Sequence, residues 1–505
     1  MSDQPVSIAR YYHERTKYDP RTIASKNKAL DWSQQPIPFK EYKFGQTFDL
    51  KPYLSRQESD SDGAVWRRLS RLFGCSYGLT AKIPTMGDPL YLRSAPSAGG
   101  LYPAEMYLIS RGTELLPPGL YNYQPQSHSL LLFWENDVWN QLQEACFWQT
   151  PLENTRLALV TTAIFYRSAW RYEDRAYRRI FLDTGHLLGN IELAAAINDY
   201  RPHLLGGFLD RAMNELLYLD GEKESVMTVI PLADLLDFRQ HLPRGITALP
   251  SPTTTLYPEI PDGELLESLH QATRIESPPD AEPAEPESSF LGDKYNFPFC
   301  LKVPVSSRPI DWGEESIDLE STILKRRSTR SYSGAGLSLD ELRALLHFTY
   351  QPEDYATQNL DPAPDYFDLD RLETFIAVSS VSGLEEGCYY YAPKARELRQ
   401  IRFKNFREEL HYLCLGQELG RDAAAVIFHT ADLEKAVAKY GDRAYRYLHM
   451  DAGHLGQRLN LAAIHLGLGV SGIGGFFDDR VNEVLGIPTD EAVIYITTLG
   501  RPRVG

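Results

Sequence analysis

Residues 172–186 read YEDRAYRRIFLDTGH, and residues 440–454 read YGDRAYRYLHMDAGH. Nine of the fifteen positions agree without a gap, at an offset of 268. The offset persists downstream, pairing Leu193-Ala194-Ala195 with Leu461-Ala462-Ala463, Gly206-Gly207-Phe208 with Gly474-Gly475-Phe476, and Asn214-Glu215 with Asn482-Glu483. Upstream it pairs Gly119, Tyr121 and Tyr123 with Gly387, Tyr389 and Tyr391, and Pro96 with Pro364. Register held over more than a hundred residues means duplication: the chain is two diverged copies of one α/β unit.

Working outward, residues 1–60 read as an N-terminal arm, tyrosine-rich and suited to wrapping a copy surface. Residues 61–250 are copy one and 296–505 copy two. The intervening 251–295 form a proline-rich acidic linker, densest at Glu276–Ser289, ESPPDAEPAEPESS. Proline and like-charge repulsion oppose compact structure there, and an acidic recruitment tail is the other reading. Strand-like runs at Ala104–Ile109, Leu157–Phe165, Thr374–Val378, Ala424–His429 and Ala492–Leu499 alternate with helical patterns. One such helix spans Leu337–Phe348, with Ser338 and Glu341 spaced as a capping box. Long amphipathic helices are predicted to start near Arg175 and Arg443.

The 505 residues exceed one ordinary core, and 43% hydrophobic content suits a globular chain. A net charge of −16 argues against nucleic acid as the main partner. No apolar run is long enough for a membrane span, and the N-terminus lacks a signal-peptide core. Five scattered cysteines without metal spacing suit a reducing cytoplasm, so a soluble cytoplasmic protein without a metal is expected.

Four clusters carry possible chemistry. Lys325-Arg326-Arg327-Ser328-Thr329-Arg330, with Arg501 and Arg503 after the last strand, has the guanidinium and hydroxyl groups that bind phosphate. Arg93–Pro103, with Pro96-Ser97-Ala98-Gly99-Gly100, is a small-residue turn whose backbone can approach a flat ligand. Gly472-Ile473-Gly474-Gly475-Phe476 is a second such turn and is not a dinucleotide fingerprint. Lys439-Tyr440 offers an acid/base pair. Taken singly, each is also what an ordinary basic turn, tight turn, helix cap or exposed lysine looks like. His186 and His454 read as packing histidines.

Taken together, these residues resemble the nitroreductase superfamily of FMN-dependent oxidoreductases, and within it the SagB/ThcOx-type branch that includes azoline oxidases of peptide natural-product pathways. The resemblance rests on Arg326–Arg330, Pro96–Pro103, Lys439–Arg443, Gly474–Phe476 and Leu499–Pro502. It implies an α+β nitroreductase-like fold, a mixed central sheet flanked by helices, duplicated as an internal pseudo-dimer. It also implies FMN at the two-fold interface. Arg326, Arg327, Ser328, Arg330, Arg501 and Arg503 would hold the phosphate; Pro96, Ser97, Ala98 and Gly99 would line the ring from the opposite copy, with Gly474 and Gly475 facing it.

Copy one has no arginine-serine run, since residues 53–62 read YLSRQESDSD, while copy two has Asp365 and Phe367 where copy one has Ser97 and Gly99. Only exchange across the interface yields a complete site, so one FMN per chain is expected. The catalytic lysine-tyrosine pair of azoline oxidases maps to Lys439-Tyr440, and its copy-one counterpart is Arg171-Tyr172. If the helix carrying Arg171 travels with the turn, Tyr172 is the better proton-transfer group, because arginine does not act as a base. The function so implied is dehydrogenation of a ring such as a peptide azoline. An NAD(P)H-dependent nitro or quinone reductase, or a non-catalytic scaffold for a partner enzyme, are the alternatives. A partner protein would supply peptide recognition, and two chains have free surfaces on which to pair.

Overall fold

The computed structural model describes residues 6–23, 29–55, 61–85, 89–237, 248–278 and 293–503. Each copy is a seven-stranded sheet with helices, the α+β duplication expected. Sheet one runs, edge to edge, Gln46–Asp49, Ser129–Glu135, Gly119–Gln124, Ala104–Ser110, Leu157–Ile164, Glu224–Asp234 and Tyr200–Pro202. Sheet two runs Lys302–Pro304, Glu397–Arg402, Gly387–Ala392, Glu373–Val378, Ala425–Asp432, Glu491–Gly500 and Gly469–Ile473. In place of the mixed strand directions expected, neighbours in both sheets pair antiparallel. The connections between paired neighbours, hairpins and helical excursions alike, return the chain to the end it left.

The copies match in register as well as order. Tyr107 opposes Val160 in sheet one, and Phe375 opposes Phe428 in sheet two, each pair 268 residues on from the other. The bulge at Thr161/Thr162 recurs at His429/Thr430, and that at Leu120/Tyr121 recurs at Cys388/Tyr389. A bulge bends a strand and re-aims its side chains, so keeping it keeps the shape of the sheet.

The long helices, Ala176–Ala196 and Ala444–His465, form the centre of the molecule. They cross at equivalent glycines. A Cβ on Gly185 would lie 2.8 Å from Gly453 Cα, and one on Gly453 would lie 3.0 Å from Gly185 Cα. Only hydrogen at both positions permits that approach. At the N-terminal end of each long helix, two buried arginines, one capping the helix and one in its first turn, reach the opposite copy. Arg175 and Arg178 pair with Asp478 at 3.0 and 2.7 Å, while Arg443 and Arg446 pair with Asp210 at 2.6 and 2.9 Å. Asp210 and Asp478 open the matched helices Asp210–Leu216 and Asp478–Leu485, where the helix dipole also favours a carboxylate. These pairs are desolvated, so removing one partner would strand a buried charge.

The arm and the connecting segment tie the copies together. Helix Ile8–Arg15 is capped by Ser7; Ala9 N–H donates to Asp442 of copy two at 3.0 Å, and His13 O accepts from Arg178 of copy one at 2.7 Å. Residues 46–49 then become an edge strand of sheet one. The expected linker 251–295 is structured in its first part: it carries helix Leu265–Ala272, with Leu265, Leu269 and His270 buried. Arg446 Nε donates to Thr273 Oγ1 just beyond that helix at 2.8 Å. The apolar spacing of LLESLHQA outweighs the surrounding prolines there. Residues 279–292 of the acidic stretch lie outside the described residues. The capping box closes as expected on Ser338 and Glu341, with the helix itself at Leu339–Tyr350.

Candidate active site at the copy interface

The basic run of copy two does meet the small-residue turn of copy one. Arg326 is buried, and its Nε and Nη2 donate to the carbonyls of Ser94 and Arg93 at 2.6 and 3.1 Å. Arg327 follows, donating from Nη1 to Thr80 Oγ1 at 3.0 Å and from Nη2 to Thr80 O at 2.9 Å. Thr329 seats the run against the edge strand Gly469–Ile473: its N–H donates to Val470 O at 2.9 Å, and its Oγ1 accepts from Val470 N–H at 3.0 Å. Ser328 is half-buried and Arg330 exposed.

Arg326 has no carboxylate partner among the described residues. Burial pulls its pKa down to about 10, and the like charges of Arg327 and Arg330 pull the same way while Tyr102 opposes them. A buried guanidinium bonded only to carbonyls lacks charge compensation, which an oxyanion would supply. Arg501 and Arg503 flank Pro502, which bridges Tyr332 just beyond the basic run. Arg501 Nη2 is held by both carboxylate oxygens of Glu341, at 2.7 and 2.8 Å, so it anchors the capped helix. Arg503 is exposed, and its backbone N–H donates to Ser331 O.

The turn itself is shaped by Asp183, on the long helix of copy one. Ser97 Oγ donates to Asp183 Oδ2 at 2.6 Å, and Ala98 N–H reaches both carboxylate oxygens at 3.1 Å. Burial raises the Asp183 pKa to about 7, against the lowering by those hydrogen bonds and by Arg179. Pro96 is half-buried beside them, and Gly99 is exposed with φ of 66°. Tyr172 closes the far side: a Cβ on Gly99 would stand 2.8 Å from its hydroxyl and 3.5 Å from Arg171 Cδ. The helix Phe165–Tyr172 therefore travels with the turn.

From copy two, Gly474 and Gly475 lie between strand Gly469–Ile473 and helix Asp478–Leu485, not at a helix C-terminus. A Cβ on Gly474 would meet Arg179 Cζ at 3.1 Å, and one on Gly472 would meet Tyr495 Cζ at 2.8 Å. Tyr495 OH in turn pairs with His186 Nε2 at 2.8 Å, while His186 Nδ1 pairs with Gln457 Oε1 at 2.9 Å. Burial lowers the His186 pKa to about 4, so it is a neutral packing histidine, as its sequence context indicates.

The counterpart location differs in kind. Asp451, matching Asp183, accepts from the backbone N–H of Phe367 and Asp368 at 3.0 and 2.8 Å. The Phe367 ring stacks on Tyr447 at 4.7 Å and fills the space beside Gly206, where a Cβ would meet its Cδ1 at 2.8 Å. Leu249 from the connecting segment fills the space beside Gly207. Lys439 Nζ and Tyr440 OH both bind Asp368 Oδ2, at 2.6 and 2.9 Å. Lys439-Tyr440 thus sits with the plugged copy and Arg171-Tyr172 with the open turn. Sequence reading passed over Asp183, Arg179, Tyr495 and the Phe367 plug. The signal available for the first two was a charged residue inside a helix whose every face is buried.

A phosphate-bearing ring cofactor fits one side of this interface. The uncompensated guanidinium of Arg326, with Arg327, Ser328 and Arg330 beside it in sequence, matches a phosphate. The small residues Ser97, Ala98 and Gly99 of the adjoining turn leave backbone that a planar ring could approach. At the counterpart Arg201 of copy one reaches the matched turn, donating to Ala363 O at 3.1 Å, but it is paired with Asp361 and Asp365, and Phe367 and Leu249 occupy the glycine-lined space.

Comparison with known proteins gives the family. The Nitroreductase family matches residues 79–233 and 323–501, more than half of the chain and one segment in each copy. A candidate nitroreductase from Anabaena variabilis, solved by crystallography at 1.80 Å, is 69% identical, with a TM-score of 0.95 over 98% of this chain and all of that one. A candidate nitroreductase of Methanocaldococcus jannaschii, MJ1384, is 35% identical over 37% of this chain and 92% of its own length. The microcin B17-processing protein McbC of Escherichia coli is 27% identical over 29% of this chain and 55% of its own. The trifolitoxin-processing protein TfxF of Rhizobium leguminosarum is 25% identical over 26% of this chain and 43% of its own. Similarity to the last two supports the SagB/ThcOx-type branch. With both copies matched in order and register, the chain belongs to the nitroreductase family.

Proposed function

We propose that this protein is an FMN-dependent oxidoreductase of the SagB/ThcOx type, with one flavin site per chain built across the two copies. The observation that carries the reading is Arg326, a buried guanidinium of copy two held on the turn carbonyls of copy one without a counter-anion. Arg326, Arg327, Ser328 and Arg330 would hold the phosphate, and Ser97, Ala98, Gly99 and Gly474 would flank the ring. Bound FMN supplies a two-electron acceptor of hydride. The chain's own part is to position the substrate and to move its proton, and Tyr172 is the group placed for that at the open turn. Phe367 and Leu249 leave the counterpart without room for a ring, and Lys439-Tyr440 serve there as a tie to Asp368.

The substrate proposed is a dihydro ring such as a peptide azoline, losing one hydride and one proton to become the aromatic azole, with dioxygen as the final acceptor. Similarity to MJ1384 over most of that protein's length favours a second reading, an NAD(P)H-dependent reductase of nitro compounds or quinones. The deciding experiment is the visible spectrum of the purified chain with released flavin quantified. One equivalent of FMN supports the single exchanged site, two would overturn it, and none after soaking would overturn the flavoenzyme reading. Oxygen uptake with a thiazoline peptide then separates the oxidase from a reductase that consumes NAD(P)H without peptide.

A further inference from the structure

The duplication places the same tyrosine in two different electrostatic settings. Tyr440 donates to a carboxylate, Asp368 Oδ2, at 2.9 Å, and the Lys439 ammonium, 4.9 Å from the Tyr440 ring centroid, is itself bound to that carboxylate. Burial, and after it the Asp368 carboxylate at the hydroxyl, which disfavours a second negative charge there, drive the Tyr440 pKa far above its ordinary value. Tyr172 has no such neighbour: its hydroxyl makes no hydrogen bond among the described residues. Instead the Arg179 guanidinium lies 3.9 Å above the Tyr172 ring centroid, and that of Arg171 lies 5.7 Å from it. Asp183 is the one carboxylate facing Tyr172 from the long helix, and its oxygens are occupied by Ser97 and Ala98. From the N-terminal arm, Tyr18 faces it. From the turn, Gly99 lies against the Tyr172 hydroxyl.

Besides its charge effect on Asp183, Arg179 has few ties. It is 7% exposed, its Nε has no hydrogen-bond partner, and no hydrogen bond or ion pair from it was found among the described residues. Gly474 leaves it room, since any side chain there would collide with its guanidinium. The matched residue in copy two is Tyr447, an uncharged side chain whose hydroxyl donates to Gly206 O and Leu249 O at 3.0 and 2.8 Å. A buried cation over the face of a phenol stabilises the electron-rich phenolate more than the phenol.

We infer that Arg179 is a positioning residue that holds Tyr172 ready to release its proton, so that proton transfer belongs to Tyr172 and is absent from its duplicate Tyr440. The inference rests on the flavin reading only for the substrate on which Tyr172 would act. Burial raises the Tyr172 pKa, and Arg179 then Arg171 are the leading groups that draw it back.

The test replaces Tyr172, or separately Tyr440, by a difluorotyrosine that titrates near neutrality, and follows its ionisation by fluorine NMR in the purified full-length chain. Position 172 is expected to ionise at least about one pH unit below position 440, the scale of one adjacent charge. Arg179→Met should raise the midpoint at 172 by about 1–3 units and leave 440 unmoved, while Arg179→Lys should restore most of the difference. An unchanged midpoint at 172 in folded Arg179→Met, or a midpoint at 172 equal to or above that at 440, would overturn the inference. Should Arg179→Met fail to fold, the comparison of the two positions in the otherwise native chain still decides. A chain with the lowered midpoint that takes up no FMN would sink the flavin reading and leave this one standing.

Discussion

Replacing Arg326 by methionine separates its two roles. In the flavin-free chain the substitution removes a cation that burial already disfavours and leaves the Ser94 and Arg93 carbonyls without their donors. Those effects oppose each other, so the melting temperature without FMN should move little. The bound state loses more. A hydrogen bond to a charged group contributes about 1.5–3 kcal/mol, and each 1.4 kcal/mol is about tenfold in affinity. Fluorescence titration of FMN into the deflavinated chain should therefore show Kd raised roughly ten- to a hundredfold, and the rise in Tm on adding FMN should shrink in step. Arg501→Met is the control. Its guanidinium is committed to Glu341, so its loss should weaken the cap of helix Leu339–Tyr350 and leave FMN affinity within about threefold of wild type. Undiminished FMN affinity in Arg326→Met, or an equal loss in Arg501→Met, would refute the phosphate assignment.

Three further outcomes are expected. Phe367→Ala removes a buried ring and should cost about 3–5 kcal/mol in denaturant unfolding without raising bound FMN above one per chain; a second equivalent would mean that the plug alone silences the counterpart. Gly453→Ala forces a Cβ into the helix crossing and should destabilise by at least about 1–3 kcal/mol, measured as a lowered midpoint in urea. Asp183 has a folded pKa of about 7, above its ordinary 3.8, so its contribution is fully present below pH 3.8 and is lost as pH rises through about 7. Asp183→Asn should accordingly flatten the fall of Tm across that window, and an unchanged profile would contradict the burial of that carboxyl.

The sequence was legible where repetition made it so. Nine identities between residues 172–186 and 440–454 located both long helices, and the fixed offset carried the strands, the paired bulges and the turn with them. The meeting of Arg326 with Ser94 was also legible, because each copy lacks the part the other keeps. Arg501 was expected at a phosphate from its position at the end of the last strand; its pairing with Glu341, brought within reach by the capping box, is a contact that only the fold shows. The structured part of the connector was hidden because its prolines surround, and mask in composition, one short amphipathic helix.

What the sequence by itself determined is the duplication, the fold of each copy and the asymmetry between them, since these reside in residue identities compared at matched positions. Which tyrosine hydroxyl binds a carboxylate and which ring lies under a guanidinium was decided only by tertiary structure. Arg179 and Tyr172 are seven positions apart on two helices, and Phe367, Leu249 and Gly206 come from three distant segments. Their contacts depend on how the two long helices cross at Gly185 and Gly453, a geometry set by packing and not by the order of residues along the chain.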